Sequence, residues 1–183
     1  MTLKTYIALL CLCGNILCCN AQQKKPIAPA QKSETGDVYN APLKWYTELS
    51  TVQQLSNASK KPIFGFFTGS DWCGWCKKLQ HDVFEKPEFI QWANKNVILL
   101  ELDYPRSKQL AAELVKQNQD LQAAFQVRGY PTIHLFFVND DPATKKKNIT
   151  SLGSLGYPSG AQPGKEEVAF INTLNQLMKN QKK

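Results

Sequence analysis

Two cysteines separated by two residues, Cys73 and Cys76, are the side chains of this sequence best suited to chemistry. They lie in the segment SDWCGWCKKL, residues 70–79, in which one tryptophan precedes the pair, a second lies within it and two lysines follow. A thiolate attacks disulfides and also binds metal ions. The pair is therefore compatible with a redox centre, half of a metal site or a structural disulfide.

Three of the competing interpretations are weak. A structural disulfide stabilises mainly by closing a long loop, and only two residues separate these cysteines. A c-type haem site requires histidine directly after the second cysteine, where this chain has Lys77. A zinc site needs further ligands, and the two histidines, His81 and His134, do not form a second ligand pair. We therefore expect no metal and no bound cofactor.

The segments around the pair favour a redox role. Residues 63–69, IFGFFTG, form a continuous apolar run of strand length, and a helix is predicted from the cysteines to about Phe84. A helix N-terminus lowers the pKa of a thiol because its unpaired N–H groups stabilise the thiolate. We therefore predict that Cys73 is the nucleophile and that Cys76, about one turn later, resolves the mixed disulfide.

The N-terminal segment resembles an export signal. Four of the six cysteines lie there, and an apolar run from Tyr6 to Leu12 follows a single basic residue. This layout is typical of a secretory signal peptide, which we predict over residues 1–21 with cleavage after Ala21. Cleavage before Cys19 is the alternative, and it would leave a cysteine able to carry a lipid anchor. Both interpretations predict a periplasmic or secreted protein.

The remaining chain is predicted to hold a flexible linker, residues 22–42, and one domain, residues 43–183. The linker is polar, contains prolines and lacks a hydrophobic period. Besides the strand and helix around the cysteines, the patterns predict helices over 50–61, from Pro87, over 108–125 and over 165–180, and strands over 97–103, 131–138 and 147–157. Residues 151–160 could line the active face, but they are interpreted as a plain surface loop at the end of the last strand. This order predicts an α/β fold, a central mixed sheet flanked by helices on both faces.

The chain is basic, but its sequence gives no specific support for nucleic-acid binding. The chain has 183 residues and a formal charge of +7, part of which comes from short lysine runs. No nucleic-acid-binding motif accompanies these runs, so a solvated basic surface explains them better.

Two distant motifs resemble those of the thioredoxin superfamily: DWCGWCK after an apolar strand and VRGYPT before another strand. The resemblance covers roughly residues 45–180. Within the superfamily, the chain is most similar to the C-terminal thioredoxin-like domain of thiol:disulfide interchange reductases and to related secreted bacterial proteins. The resemblance implies a thioredoxin-like fold and a protein-disulfide oxidoreductase. It also implies disulfide-containing protein substrates, with a membrane reductase as a candidate electron donor.

The resemblance also implies a set of substrate-binding residues. In the superfamily, the proline of the second motif is cis and faces the cysteine pair, which places Pro131 there. The residue before it, Tyr130, offers backbone groups to an extended substrate segment. Trp72, Gly74 and Trp75, next to the cysteines, complete the predicted set, since tryptophan is enriched at binding hot spots.

The sequence departs from the family at one catalytic position. Thioredoxins typically carry a buried aspartate six residues before the first cysteine, and here that residue is Phe67. Leu99 occupies the position of the lysine that partners this aspartate in many members. Asp71 and Glu101 are the nearest acids that could replace it.

Two other functions stay open on the sequence alone. The first is a thioredoxin-fold module that binds peptides or proteins without essential redox turnover. The second is the same centre run as an oxidase or isomerase, since the reduction potential decides the direction of exchange.

Overall fold

The computed structural model describes residues 41–144 and 146–179. The predicted signal peptide and nearly all of the predicted linker lie outside the described residues, so the boundaries at 21 and 42 stay predictions. The elements are β1 Trp45–Tyr46, α1 Leu49–Ser59, β2 Ile63–Thr68, α2 Gly74–Leu79, a π-helical turn Gln80–Phe84, α3 Pro87–Asn96, β3 Ile98–Asp103, α4 Ala112–Ala124, β4 Thr132–Asp140, β5 Lys147–Leu155 and α5 Glu166–Lys179.

The described strands form one mixed sheet in the order β1-β3-β2-β4-β5. Strand β2 pairs in parallel with β3 and antiparallel with β4, and all six of its residues are buried. A strand covered on both faces accounts for the continuous apolar run in the sequence. The predicted mixed sheet is confirmed, whereas the two-residue strand β1 was too short to be predicted.

The sheet separates two apolar clusters. On one face, α2, the π-helical turn, α3 and α5 contribute Leu79, Val83, Phe84, Phe89, Ala93, Phe170 and Leu174. On the other face, α1 and α4 contribute Val52 and Leu121, which pack with residues of β2, β3 and β4. The prediction of helices on both faces is therefore confirmed. None of these helices, in the part of the chain described, is long and apolar enough to span a membrane.

The helix after the cysteines ends in an aromatic cluster. Phe84 lies at the end of the π-helical turn, where the Glu85 N–H donates to the Gln80 carbonyl at 2.9 Å. Its ring lies 4.9 Å from that of Phe89 and 5.1 Å from that of Phe66, between centroids. Proline stands at the start of α3, as predicted, because its missing N–H needs no partner there. The cluster fixes the helix that carries the cysteines against β2.

The helix predicted over 108–125 begins later, at Ala112. The residues before it form a loop. The Ser107 N–H donates to Asp71, in the loop that leads to Cys73, and the Lys108 ammonium contacts Asp103 at the end of β3. These tertiary contacts outweigh the helix propensity of the segment.

The register of the sheet brings four chain segments to one edge. Thr68, the last residue of β2, pairs with Asp103, the last residue of β3. Thr132 at the start of β4 pairs with Phe67, so the residues preceding it lie beside the loop that carries the cysteines. The end of β5 pairs with the start of β4. The cysteine loop, the loop after β3, the segment before β4 and the loop after β5 therefore meet at this edge.

Candidate active site

Cys73 and Cys76 form a disulfide at the N-terminus of α2. Cys73 is the N-cap residue, and the Cys76 N–H donates a hydrogen bond to its sulfur at 3.1 Å. Cys73 is 5% exposed and Cys76 is 1% exposed. Cys73 is therefore the more accessible residue of the two, which suits the predicted roles of nucleophile and resolving thiol.

The backbone around Cys73 favours a thiolate. The Cys73 carbonyl accepts the first hydrogen bonds of the helix, from Cys76 and Lys77, at 3.2 Å each. The N–H groups of Gly74 and Trp75 precede those bonds, and groups in this position stabilise negative charge. A Cβ added at Gly74 would meet nothing within 4 Å, so the surface beside Cys73 is open.

Trp72 lies in a fixed position beside Cys73. A Cβ added at Gly69 would lie 2.3 Å from the indole ring, so the ring rests directly on this glycine. The indole N–H donates to the Tyr104 carbonyl at 2.8 Å, and the ring meets that of Tyr130 edge-on at 5.7 Å. Trp72 nevertheless remains 36% exposed, so it is held by the protein while presenting surface to a partner.

Trp75 contacts the loop after β5. It is 58% exposed, and its ring meets that of Tyr157 at 5.2 Å. Tyr157 donates to Asp82 at 2.6 Å, and Lys78 donates to the same carboxylate oxygen. Hydrogen bonds from Lys78, Tyr157 and His81 hold the pKa of Asp82 well below its usual range. The interpretation of residues 151–160 as a plain surface loop was therefore wrong, since Tyr157 supports the active-site tryptophan.

The Tyr130–Pro131 peptide bond is cis, as the resemblance implies. The Tyr130 ring lies 5.2 Å from that of Tyr104, and its hydroxyl accepts a hydrogen bond from Gln122. Burial raises the pKa of Tyr130. Among the hydrogen bonds of the described residues, none involves the backbone N–H or carbonyl of Tyr130. Those groups are therefore available to an extended substrate segment.

The two acids considered as replacements for the missing aspartate have different surroundings. Asp71 accepts hydrogen bonds from the Ser107 hydroxyl and N–H and from the Arg106 N–H, which lower its pKa to about 2. It is half-buried and joins two loops. Glu101 is half-buried on β3, and burial, together with the nearby Asp103, raises its pKa. The pKa is therefore raised for Glu101 and lowered for Asp71, and no hydrogen bond among the described residues joins either carboxylate to the cysteines.

A third acid, Asp103, supports the cysteine loop. Its carboxylate accepts hydrogen bonds from the Ser70 N–H at 2.8 Å and the Ser70 hydroxyl at 2.7 Å, and contacts the Lys108 ammonium at 2.8 Å. Burial pushes its pKa upward, but the hydrogen bonds from Lys108 and Ser70 outweigh burial and leave the pKa below its usual value. Asp103 therefore fixes the loop that precedes Cys73.

Asp103→Ala is expected to lower the free energy of unfolding by about 1.5–3 kcal/mol, because Ser70 and Lys108 lose a charged, buried partner. Since the folded pKa is depressed, this stabilisation is present above the unfolded value of about 3.9 and is lost as pH falls through the folded pKa. Urea unfolding of the oxidised protein at several pH values measures both effects. Asp120→Ala, which removes an exposed pair with Lys116, is the control and should cost at most about 1 kcal/mol.

His134 lies on β4 between aromatic rings. Its imidazole stacks on Phe125 at 4.3 Å and meets Phe67 edge-on at 5.8 Å, and its buried Nδ1 has no partner among the described residues. Burial lowers its pKa. The histidine therefore belongs to the core, and in the described residues no group of side chains could hold a metal ion.

The protein is expected to lose stability as pH falls below about 6.5, because protonation of His134 is easier in the unfolded chain. His134→Phe should remove this part of the acid loss, as seen in unfolding free energies between pH 7.5 and pH 5. His81→Gln changes an exposed histidine and should retain it. An unchanged pH profile in His134→Phe would contradict the assignment.

Several site residues were not predicted from the sequence: Ser70, Asp103, Tyr104, Arg106 and Tyr157. Most of them follow the ends of strands β3 and β5. Loops that follow strands ending at the same edge of a sheet lie close together. These residues could have been predicted from that rule only if the order of the strands had been known.

The fold and the cysteine disulfide define a thioredoxin-like protein-disulfide oxidoreductase, and the chain belongs to the thioredoxin-like family. The family model of the thioredoxin-like domain matches residues 50–142. Disulfide bond reductase DsbH of Chlamydia pneumoniae is 33% identical over 132 residues, which cover 67% of this chain and 72% of that protein. Thioredoxin-related protein DsbJ of the same organism is 27% identical over 120 residues, covering 66% of this chain but only 33% of DsbJ.

Solved structures agree with this assignment. The DsbH oxidoreductase structure superposes with a TM-score of 0.63 and 28% identity, covering 87% of this chain and 93% of that one. A thioredoxin from Thermus thermophilus gives a TM-score of 0.52 at 15% identity, covering 75% and 88%, and shows the shared fold. The predicted superfamily and fold are thus confirmed.

Proposed function

We propose that the chain is an exported oxidoreductase that reduces disulfides in protein partners. The observation that carries the proposal is the position of Cys73, at the N-terminus of α2, with the Cys76 N–H 3.1 Å from its sulfur. The exposed Trp72, before the pair, and Trp75, between the two cysteines, offer a surface for a polypeptide together with the backbone of Tyr130. The similarity to a protein named disulfide bond reductase favours reduction over oxidation.

The exchange proceeds in two balanced steps. The Cys73 thiolate attacks one sulfur of the substrate disulfide, which forms a mixed disulfide and releases the other substrate sulfur as a thiolate that takes up a proton. Cys76, as its thiolate, then attacks the Cys73 sulfur, so that the second substrate sulfur leaves and is protonated. The substrate gains two electrons, and Cys73–Cys76 becomes the disulfide present in this structure. A dithiol donor, which we propose to be a membrane reductase, returns the two electrons.

The reduction potential of the Cys73–Cys76 pair tests the direction. The measurement needs the full chain with Cys11, Cys13, Cys18 and Cys19 replaced by serine, here named the four-serine chain, so that one pair supplies all thiols. Equilibration against thiol buffers should give a value nearer about −270 mV than about −120 mV. A value near the second figure would make the protein an oxidant and overturn the proposed direction.

Export is supported by the N-terminal pattern of residues 1–21. Expression in a Gram-negative host, followed by fractionation and mass spectrometry of the protein's N-terminus, tests it. A new N-terminus at Gln22 in the periplasm would support cleavage after Ala21, and a lipid-modified Cys19 would support the anchored form. Retention of the uncleaved chain in the cytoplasm would overturn the export proposal.

A further inference from the structure

We infer that Arg106 selects substrates that carry a carboxylate next to the reacting cysteine. This inference rests on the proposed function and adds a substrate class to it: disulfides whose flanking residues are Asp or Glu. The guanidinium carbon of Arg106 lies 3.9 Å from the ring centroid of Trp72, the residue directly before Cys73. A polypeptide that reacts at Cys73 must therefore pass close to this cation.

The position of the cation is defined by the protein. Trp72 cannot move freely, because its ring rests on Gly69 and its N–H is bound to the Tyr104 carbonyl. The backbone N–H of Arg106 is in turn bound to both oxygens of the Asp71 carboxylate, at 3.1 and 3.0 Å. The guanidinium stacks on the fixed ring and keeps the donors in its own plane available.

The carboxylates of this region are already engaged. Asp71 accepts hydrogen bonds from Ser107 as well as from the Arg106 backbone. Asp103 binds Ser70 and Lys108, and on the other side of the cysteines Asp82 binds Lys78. Asp82 and Asp103 are therefore paired with lysines, whereas Asp71 keeps its negative charge and is held by hydrogen bonds from uncharged donors.

Two neighbouring lysines are paired with acids of the protein, whereas Arg106, like Lys77 beside Cys76, has no ion-pair partner among the described residues. Lys78 and Lys108 form ion pairs with Asp82 and Asp103. Within residues 41–144 and 146–179, the Arg106 guanidinium is exposed and forms no ion pair. A planar guanidinium binds a carboxylate through two parallel hydrogen bonds. A substrate carboxylate beside the cysteine would supply this missing partner.

The test uses disulfide-linked peptide dimers that differ only in the residues flanking the cysteine: Glu, Gln or Lys. The pre-reduced four-serine chain is mixed with each peptide, and the second-order rate constant of single-turnover reduction is measured. Each constant is divided by that for dithiothreitol at the same pH, which removes the intrinsic reactivity of the peptide. We expect the Glu peptide to react about three- to tenfold faster than the Lys peptide, with the difference shrinking as salt is raised.

Variants then assign the preference to its residue. Arg106→Gln should bring the ratio of Glu to Lys rates close to one, and Arg106→Lys should retain part of it because the charge persists. Lys116→Gln is the matched control: it removes one positive charge from the exposed surface of α4 and should keep the full ratio. A preference that survives in Arg106→Gln, or is lost equally in Lys116→Gln, would overturn the inference.

The experiment separates this inference from the proposed function. Reduction of all three peptides at equal normalised rates leaves the reductase proposal intact and refutes the role of Arg106. Failure to reduce any peptide, together with failure to reduce a protein disulfide such as that of insulin, refutes both.

Discussion

Replacement of Cys76 by serine is expected to trap the substrate on the protein. Without a resolving thiol, the mixed disulfide between Cys73 and the substrate persists, and turnover falls by on the order of a thousandfold or more. Cys73→Ser should lose turnover to a similar extent without accumulating the adduct, because the remaining thiol is only 1% exposed. The four-serine chain carrying each change, incubated with a protein disulfide and separated without reductant, shows the adduct as a band of added mass.

The two variants control for each other, since each removes one sulfur from the same loop. An adduct that accumulates in Cys73→Ser but not in Cys76→Ser would reverse the roles of the two cysteines. Equal turnover in both variants and in the parent chain would mean that the disulfide is not the reacting group. Absence of turnover in the parent chain, with partners still bound, would return the peptide-binding module as the better description.

Phe84→Ala is expected to lower the free energy of unfolding by about 3–5 kcal/mol, because a buried ring is replaced by a cavity. Phe84 is 4% exposed and lies within an aromatic cluster that includes Phe66, Phe89 and Trp45. Urea unfolding of the oxidised protein, followed by circular dichroism, measures the loss. It is a large fraction of the total stability of a domain, which is about 5–15 kcal/mol.

Phe84→Leu keeps most of the apolar volume and should lower the free energy of unfolding by less than Phe84→Ala does. If the alanine variant does not fold, the leucine variant still tests the prediction. Val115→Ala on α4 is the control, since Val115 is 39% exposed and should change stability by about 0.5 kcal/mol or less. Equal losses in Phe84→Ala and Val115→Ala would show that the aromatic cluster does not hold the cysteine helix in place.

The sequence was sufficient to predict the fold where one local signal dominated. Continuous apolar runs predicted β2 and β3, because a strand buried on both faces has no polar side. Proline marked the start of α3, and the spacing of the cysteines predicted the disulfide. These features depend on neighbouring residues and need no knowledge of the tertiary structure.

The residues that surround the cysteines were harder to predict because they come from distant parts of the chain. Asp103 reaches Ser70 across 33 residues of sequence, and Trp75 meets Tyr157. Residues 108–111 were predicted as the start of a helix, but they belong to a loop in which Lys108 contacts Asp103. Such contacts follow from strand order and register, which hydrophobic patterns alone do not define.

Four segments meet at one edge of the sheet, and the segment that carries the cysteines is distinct from those that carry the surrounding loop residues. Sulfur exchange depends on Cys73, the N-cap of α2, and on Cys76 within α2, whereas Arg106 and Tyr157 belong to loops that begin after β3 and β5. Substitutions in those loops can change which proteins are recognised while the cysteine pair stays as it is. A lineage can therefore acquire new substrates by altering surface loops, without rebuilding the redox centre.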